Sequence, residues 1–249
     1  MKSIKNILGG IFIVWGMFVF VVSMLLFYIP MWAVGLWKEP KRTAIFLDCV
    51  RAWMFVFLNL CGIKLTIKGR EKFKKGENYI VVCNHNSMMD VPITSPGIPG
   101  TNKTIAKIEL SKIPLFGMIY KRGSILVDRD SEQSRKESFQ KMKAALDLGM
   151  HVCLYPEGTR NKTNKPLKSF HDGAFRLAVN SGKSIIPAVI FNSAKVLPNN
   201  TSFYFWPHPI EMHFLDPIPV SQEDSPADIK QLVFDTMWKY FEENSTNKK

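Results

Sequence analysis

Two short stretches carry the residue types that acid–base chemistry needs. The first is Asn84-His85-Asn86-Ser87-Met88-Met89-Asp90, directly after the apolar run Tyr79–Cys83, which reads as a buried strand. Ligands of open α/β sheets bind beyond the carboxyl ends of their strands, and His85 stands at such an end. A helix starting near Ser87 puts Asp90 in its first turn, where the carboxylate can reach back to the imidazole. A histidine held that way is a general base: one nitrogen takes a proton while the other donates to the acid that orients it. Ser87-x-x-Asp90 is also the pattern of a capping box, in which Asp90 serves only the helix.

The second stretch, Tyr155-Pro156-Glu157-Gly158-Thr159-Arg160, again follows a strand end. Gly158 permits a tight turn whose backbone N–H groups face an anion. Arg160 offers a planar fork suited to a phosphate. A surface turn with a hydrated arginine fits the same residues. Lys107 and Arg129 stand near further strand ends. They can add positive charge for a phosphate or serve as exposed ion-pair partners.

The elements that must position these groups follow from periodicity. Strands are expected over 63–67, 79–83, 104–107, 124–127, 151–155, 184–191 and 210–215. A helix or turn broken by Pro114 covers Ser111–Tyr120. An amphipathic helix covers Ser131–Leu148, with Ser131 as cap and Gly149 as stop. Helices are also expected over Gly173–Ser181, ended by Gly182, and from Ser225-Pro226 onward. Strands alternating with helices predict an α/β domain with a mixed, largely parallel sheet flanked by helices.

A different kind of segment precedes that domain. Between Lys5 and Lys38 lie 32 residues without a charge, hidden by a mean hydropathy of only −0.02. The run is too long for the roughly 7–15-residue core of a signal peptide, and no small-residue cleavage site follows it, so it reads as retained. As a helix it would extend roughly 48 Å, against a bilayer core of about 30 Å, with Pro30 able to kink it or end it near Phe27. A second apolar stretch, Ala44–Ile63, carries Asp48 and Arg51 at pairing distance on a helix. Trp15, Trp32, Trp37 and Trp53 suit an interfacial belt. Basic residues flank the first run on both sides, which fits a monotopic hairpin or one span followed by an amphipathic helix. The chain divides into a membrane-associated helical segment (1–62), an α/β domain (63–243) and a disordered tail (244–249).

Net charge is +12. Residues 1–66 hold seven basic and two acidic side chains, and residues 67–249 hold 26 and 19. Positive charge is therefore denser around the apolar run, which favours an anionic lipid surface over nucleic acid. The four cysteines are far apart in sequence and form no C-x-x-C pair. They read as four reduced, buried thiols of a cytoplasmic environment, with no metal site.

Taken in order, His85-x4-Asp90, Lys107-x-Glu109-Leu110, Asp128-Arg129, Pro156-Glu157-Gly158-Thr159-Arg160, Phe170-x-x-Gly173-Ala174 and Ile186-Pro187 resemble the glycerolipid acyltransferase family over roughly residues 60–195. The resemblance implies an enzyme of phospholipid biosynthesis, bound to the cytoplasmic membrane with its site at the cytoplasmic face. It would move a fatty acyl group from acyl-CoA or acyl carrier protein to the sn-2 hydroxyl of lysophosphatidic acid, with no cofactor. His85 would be the base and Asp90 its partner. Glu157, Gly158, Thr159 and Arg160 would bind the acceptor, with Lys107 and Arg160 on its phosphate. Ile186 and Pro187 would belong to the acyl-donor region, although a plain buried strand fits them as well. Other acceptors, such as a lyso-ornithine lipid, use the same chemistry. A non-catalytic lipid-binding relative would be marked by loss of His85 or Asp90. Where the family often has a lysine after Phe170, this chain has His171 and Asp172.

Overall fold

A computed structural model describes residues 2–201 and 203–245. The chain opens with two long helices, α1 (Lys2–Ala33) and α2 (Lys41–Leu60). There follow β1 (Leu65–Lys68), β2 (Ile80–Cys83), α3 (Asp90–Gly97), β3 (Asn102–Lys107), α4 (Phe116–Gly123) and β4 (Ser124–Val127). The second half runs α5 (Glu132–Asp147), β5 (His151–Leu154), α6 (Gly173–Ser181), β6 (Ile185–Phe191), α7 (Ser193–Val196), β7 (Ile210–Phe214) and α8 (Pro226–Ser245).

Among the described residues seven strands form one sheet in the order β1-β7-β6-β2-β5-β3-β4. Only the β6–β7 pairing is antiparallel. Five neighbouring strands from β6 to β4 therefore point the same way, and the loops leaving their carboxyl ends meet at one edge. This is the mixed, largely parallel sheet that the alternation of elements predicts.

The period-two alternation of a strand splits the core in two. Val81 and Cys83 of β2, Cys153 of β5, and Ile186, Ala188 and Ile190 of β6 face the layer of α1 to α4. Ile80 and Val82, Val152 and Leu154, and Ile185 and Val189 face α5, α6 and α8. Helix limits follow local signals. Ser131 Oγ accepts the Ser134 N–H at 3.1 Å and opens α5, and Gly182 closes α6 in the left-handed region at φ 59°. Helix α8 continues through Asn244 and Ser245, so those two are helical rather than tail; residues 246–249 lie outside the described residues.

The N-terminal pair departs from expectation in two ways. Helix α1 runs through Pro30 to Ala33 instead of ending near Phe27. Trp53 is not at an interface but buried between the helices, where its Nε1 donates to Ser23 Oγ at 3.0 Å and its ring meets Phe20 at 5.0 Å. An indole in an apolar contact needs such a partner. Trp15, Trp32 and Trp37 remain exposed, as do Ile11, Phe18, Leu26 and Ile29 along α1. Both helices are long and apolar enough to cross a membrane. Arg51 pairs with Asp48 at 2.7 Å and also donates to the carbonyls of Ile98 and Gly100, tying α2 to the chain before β3. Lys103 of β3, buried, reaches Glu39 between the two helices at 3.3 Å.

Candidate active site

Asn84 extends the edge from which the site hangs. Its side chain mimics a strand residue: Nδ2 donates to the Ile190 carbonyl at 3.0 Å and Oδ1 accepts the Ile190 N–H at 2.7 Å. Completely buried, it fixes where the chain leaves β2. One residue on, His85 Nδ1 lies 2.8 Å from Asp90 Oδ2. That same oxygen accepts the N–H groups of Asn86 at 2.6 Å and Ser87 at 2.7 Å. An oxygen collecting backbone donors acts as an acceptor, so Nδ1 carries the proton and Nε2 the lone pair.

Helix α3 starts at Asp90 rather than near Ser87. The capping box is not formed, since Met89 caps α3 without a side-chain bond and Ser87 Oγ does not accept the Asp90 N–H; Asp90 Oδ2 instead gathers the Ser87 N–H and His85 Nδ1. Ser87 Oγ accepts the Met89 N–H at 3.1 Å and donates to the Leu197 carbonyl at 2.7 Å.

Beyond β5, Tyr155 stacks on His85 with ring centroids 4.4 Å apart. Glu157, expected among the acceptor-binding residues, is 1% exposed, and both its oxygens accept backbone N–H groups, from His85 at 2.7 Å and Lys168 at 2.9 Å. Burial pushes its carboxyl above the ordinary range, while those two bonds pull the other way. Glu157 therefore clamps the base loop to the turn and presents no oxygen to an open site. Gly158 has φ 70°, and a Cβ there would lie 2.7 Å from the His171 ring. His171 thus covers the turn, while Asp172 turns to Lys230 at 2.7 Å.

Several cationic groups converge on this turn. Arg129 Nη1 donates to the Gly158 carbonyl. Lys168 Nζ donates to Thr159 Oγ1 at 2.7 Å. Arg160 Nη1 donates to Asn199 Oδ1 at 3.0 Å. The Asn161 N–H donates to the His85 carbonyl at 2.6 Å, which sets Arg160 beside the base loop. Lys107 does not join them: it is exposed and pairs with Glu109 at 2.9 Å. Ile186 and Pro187 lie buried inside β6, paired with Val81 and Val82, and offer no outward surface to a donor, so they are ordinary strand residues. Cys83 and Cys153, distant in sequence, lie 3.8 Å apart beneath the site, and Cys49 is only partly buried.

Tyr155, Lys168 and Asn199 were not legible as site residues. Tyr155 adjoins the Pro-Glu-Gly-Thr-Arg run and invites attention; Lys168 and Asn199 carry no local signal. The arrangement joins a base with a free nitrogen to a cationic turn, which suits a hydroxyl on a phosphate-bearing molecule.

Comparison with known proteins bears on this geometry. Residues 64–191 match the acyltransferase family model. The chain is similar to a 1-acyl-sn-glycerol-3-phosphate acyltransferase of Borreliella burgdorferi, 29% identical over 65% of this chain and 67% of the relative. It is also similar to one of Cocos nucifera, 30% identical over 64% of this chain but only 51% of the relative. The crystal structure of the 1-acyl-sn-glycerophosphate acyltransferase PlsC from Thermotoga maritima shares the fold, with TM-score 0.80 and 23% identity over 98% of this chain and 97% of that one. With His85 and Asp90 following β2, the cationic turn following β5 and the matched segment running from β1 to β6, the chain belongs to the acyltransferase family.

Proposed function

We propose that the protein is a membrane-associated 1-acylglycerol-3-phosphate O-acyltransferase that makes phosphatidic acid from lysophosphatidic acid and an acyl thioester. The observation that carries this reading is the His85–Asp90 contact, with Asp90 held by two further backbone donors and Nε2 left as the basic nitrogen.

Nε2 removes the proton of the sn-2 hydroxyl as that oxygen attacks the thioester carbonyl. The tetrahedral adduct collapses, the C–S bond breaks, and the imidazolium returns its proton to the departing thiolate. The acceptor is itself the nucleophile, so no acyl-enzyme forms. Arg160 holds the acceptor phosphate, with Arg129 and Lys168 adding positive potential around the same turn. Acyl-CoA or acyl carrier protein supplies the acyl group, and the residues of the site call for no cofactor. Lysolipid and product both reside in the bilayer. The exposed apolar side chains of α1 support membrane association, and in this reading the site works at the cytoplasmic face of the inner membrane.

The test is His85→Ala in a transfer assay with lysophosphatidic acid and acyl-CoA or acyl carrier protein. Turnover falls by about 10²–10⁴-fold, with vesicle binding and far-UV circular dichroism unchanged. A variant turning over within threefold of the parent overturns the proposal.

A further inference from the structure

Arg160 does not stand alone. Its guanidinium is met by the Asn199 carboxamide oxygen, and the nitrogen of that same carboxamide donates to the carbonyls of Asn86 at 2.5 Å and Asn161 at 3.3 Å. One side chain thus bridges the segment carrying the base and the turn carrying the phosphate ligand, which lie 113 and 38 residues away in sequence. The loop that bears it is anchored on both sides. Leu197 accepts Ser87 Oγ, the Trp206 N–H returns to the Val196 carbonyl at 2.9 Å, and the Phe205 N–H reaches the Gly9 carbonyl of α1 at 3.2 Å.

The partner's chemistry matters as much as its place. An arginine that must receive a phosphate has to be oriented without being neutralised. A carboxylate at position 199 would orient it equally well, yet would cancel its charge and compete with the incoming anion. Asn199 offers an acceptor with no net charge, and its two donors lock the carboxamide in the orientation that presents oxygen to Arg160. The guanidinium keeps donors for a ligand, because only one nitrogen is engaged by Asn199.

The geometry points to Asn199 as the positioning residue that aims Arg160 at the acceptor phosphate. Binding of that phosphate then depends on a residue outside both sequence motifs. This inference rests on the reading of Arg160 as the phosphate ligand.

The experiment measures steady-state kinetics with lysophosphatidic acid for Asn199→Asp, Asn199→Ala, Arg160→Ala and the two double variants. Asn199→Asp raises the acceptor KM about tenfold and Asn199→Ala about three- to fivefold. In both, kcat stays within about twofold and the donor KM does not move, a split that general loosening of the fold would not produce. In the Arg160→Ala background either substitution adds less than about twofold, because its effect passes through Arg160. If Arg160→Ala leaves the acceptor KM unchanged, the phosphate assignment itself fails. If Arg160→Ala raises it but both Asn199 variants leave it unchanged, or act equally without Arg160, the assignment stands and the role of Asn199 is refuted. Asn199→Ala introduces no new charge and keeps the inference testable where the aspartate variant does not fold.

Discussion

Asp90 receives three donors on a single oxygen, and two of them are backbone groups of the segment that carries the base. It therefore shapes the chain between His85 and Ser87 as well as holding the imidazole, and it does so completely buried. Asn in its place keeps one acceptor oxygen but introduces a buried NH2 group where the other oxygen, Oδ1, has no hydrogen-bond partner among the described residues. Asp90→Asn is expected to lower kcat by about 10²–10⁴-fold, through loss of the carboxylate that stabilises the imidazolium. The acceptor KM changes less than kcat, since Asp90 makes no bond to Arg160 and reaches it only through Asn86 and Asn199. Steady-state kinetics decide this, and a kcat within fivefold of the parent would show that the base works without a charged partner.

At the scale of elements, the turn after β5 is closely constrained. Gly158 adopts a left-handed backbone at φ 70° with the His171 ring directly over it. Alanine there meets two separate costs, about 1–2 kcal/mol for the backbone and the displacement of His171. Gly158→Ala should lower the melting temperature and activity together. Adding His171→Ala relieves the steric part alone, so partial recovery of the melting temperature is expected; complete recovery would mean that the backbone conformation is cheap. The same turn shows why Glu157 matters although it faces no ligand. Its bond to the His85 N–H joins the ends of β2 and β5, alongside the Asn161 N–H to His85 carbonyl bond, and its bond to Lys168 holds the turn. Helices α1 and α2 form another such unit, joined by the buried Trp53–Ser23 bond and attached to the sheet through Arg51 and Lys103.

Across the whole molecule, buried histidines make stability depend on pH. His151 Nδ1 accepts the Tyr79 N–H at 3.0 Å, so it must stay unprotonated, and burial lowers its pKa from 6.5 to about 4. Burial, with Lys68 nearby, lowers His213 to about 4 as well. Between pH 6.5 and 4 the unfolded chain binds protons at both positions that the native chain refuses. Stability therefore rises with pH through this window and is lost on acidification, by up to about 3 kcal/mol from His151 and by less from His213, whose Nε2 lies 3.0 Å from Glu211 Oε2. Thermal unfolding recorded from pH 7.5 to 4.5 should show the melting temperature falling below pH 6.5. His151→Asn, which keeps an acceptor and cannot be protonated, should flatten the profile. An unchanged profile in that variant would exclude His151 as a source.

Short-range order was legible in the residues themselves. The apolar run Tyr79–Cys83, the Ser131 cap, the Gly182 stop and the five-residue reach from His85 to Asp90 each depend on neighbours within one or two turns, and each was found close to its expected place. The apolar run likewise declared a long helix, because composition over 32 residues does not depend on what lies across the fold. Only tertiary structure decided the rest. Strand order brought β5 beside β2, so that Glu157 could grip the His85 N–H across 72 positions, and it carried the loop after β6 over both, so that Asn199 could brace Arg160. It also removed Ile186 and Pro187 into the sheet, sent Lys107 outward to Glu109 and buried Trp53. The physical reason is common to all of them: a side chain's type states what it can bind, but its partner is whatever the packed strands place within about 3 Å of it.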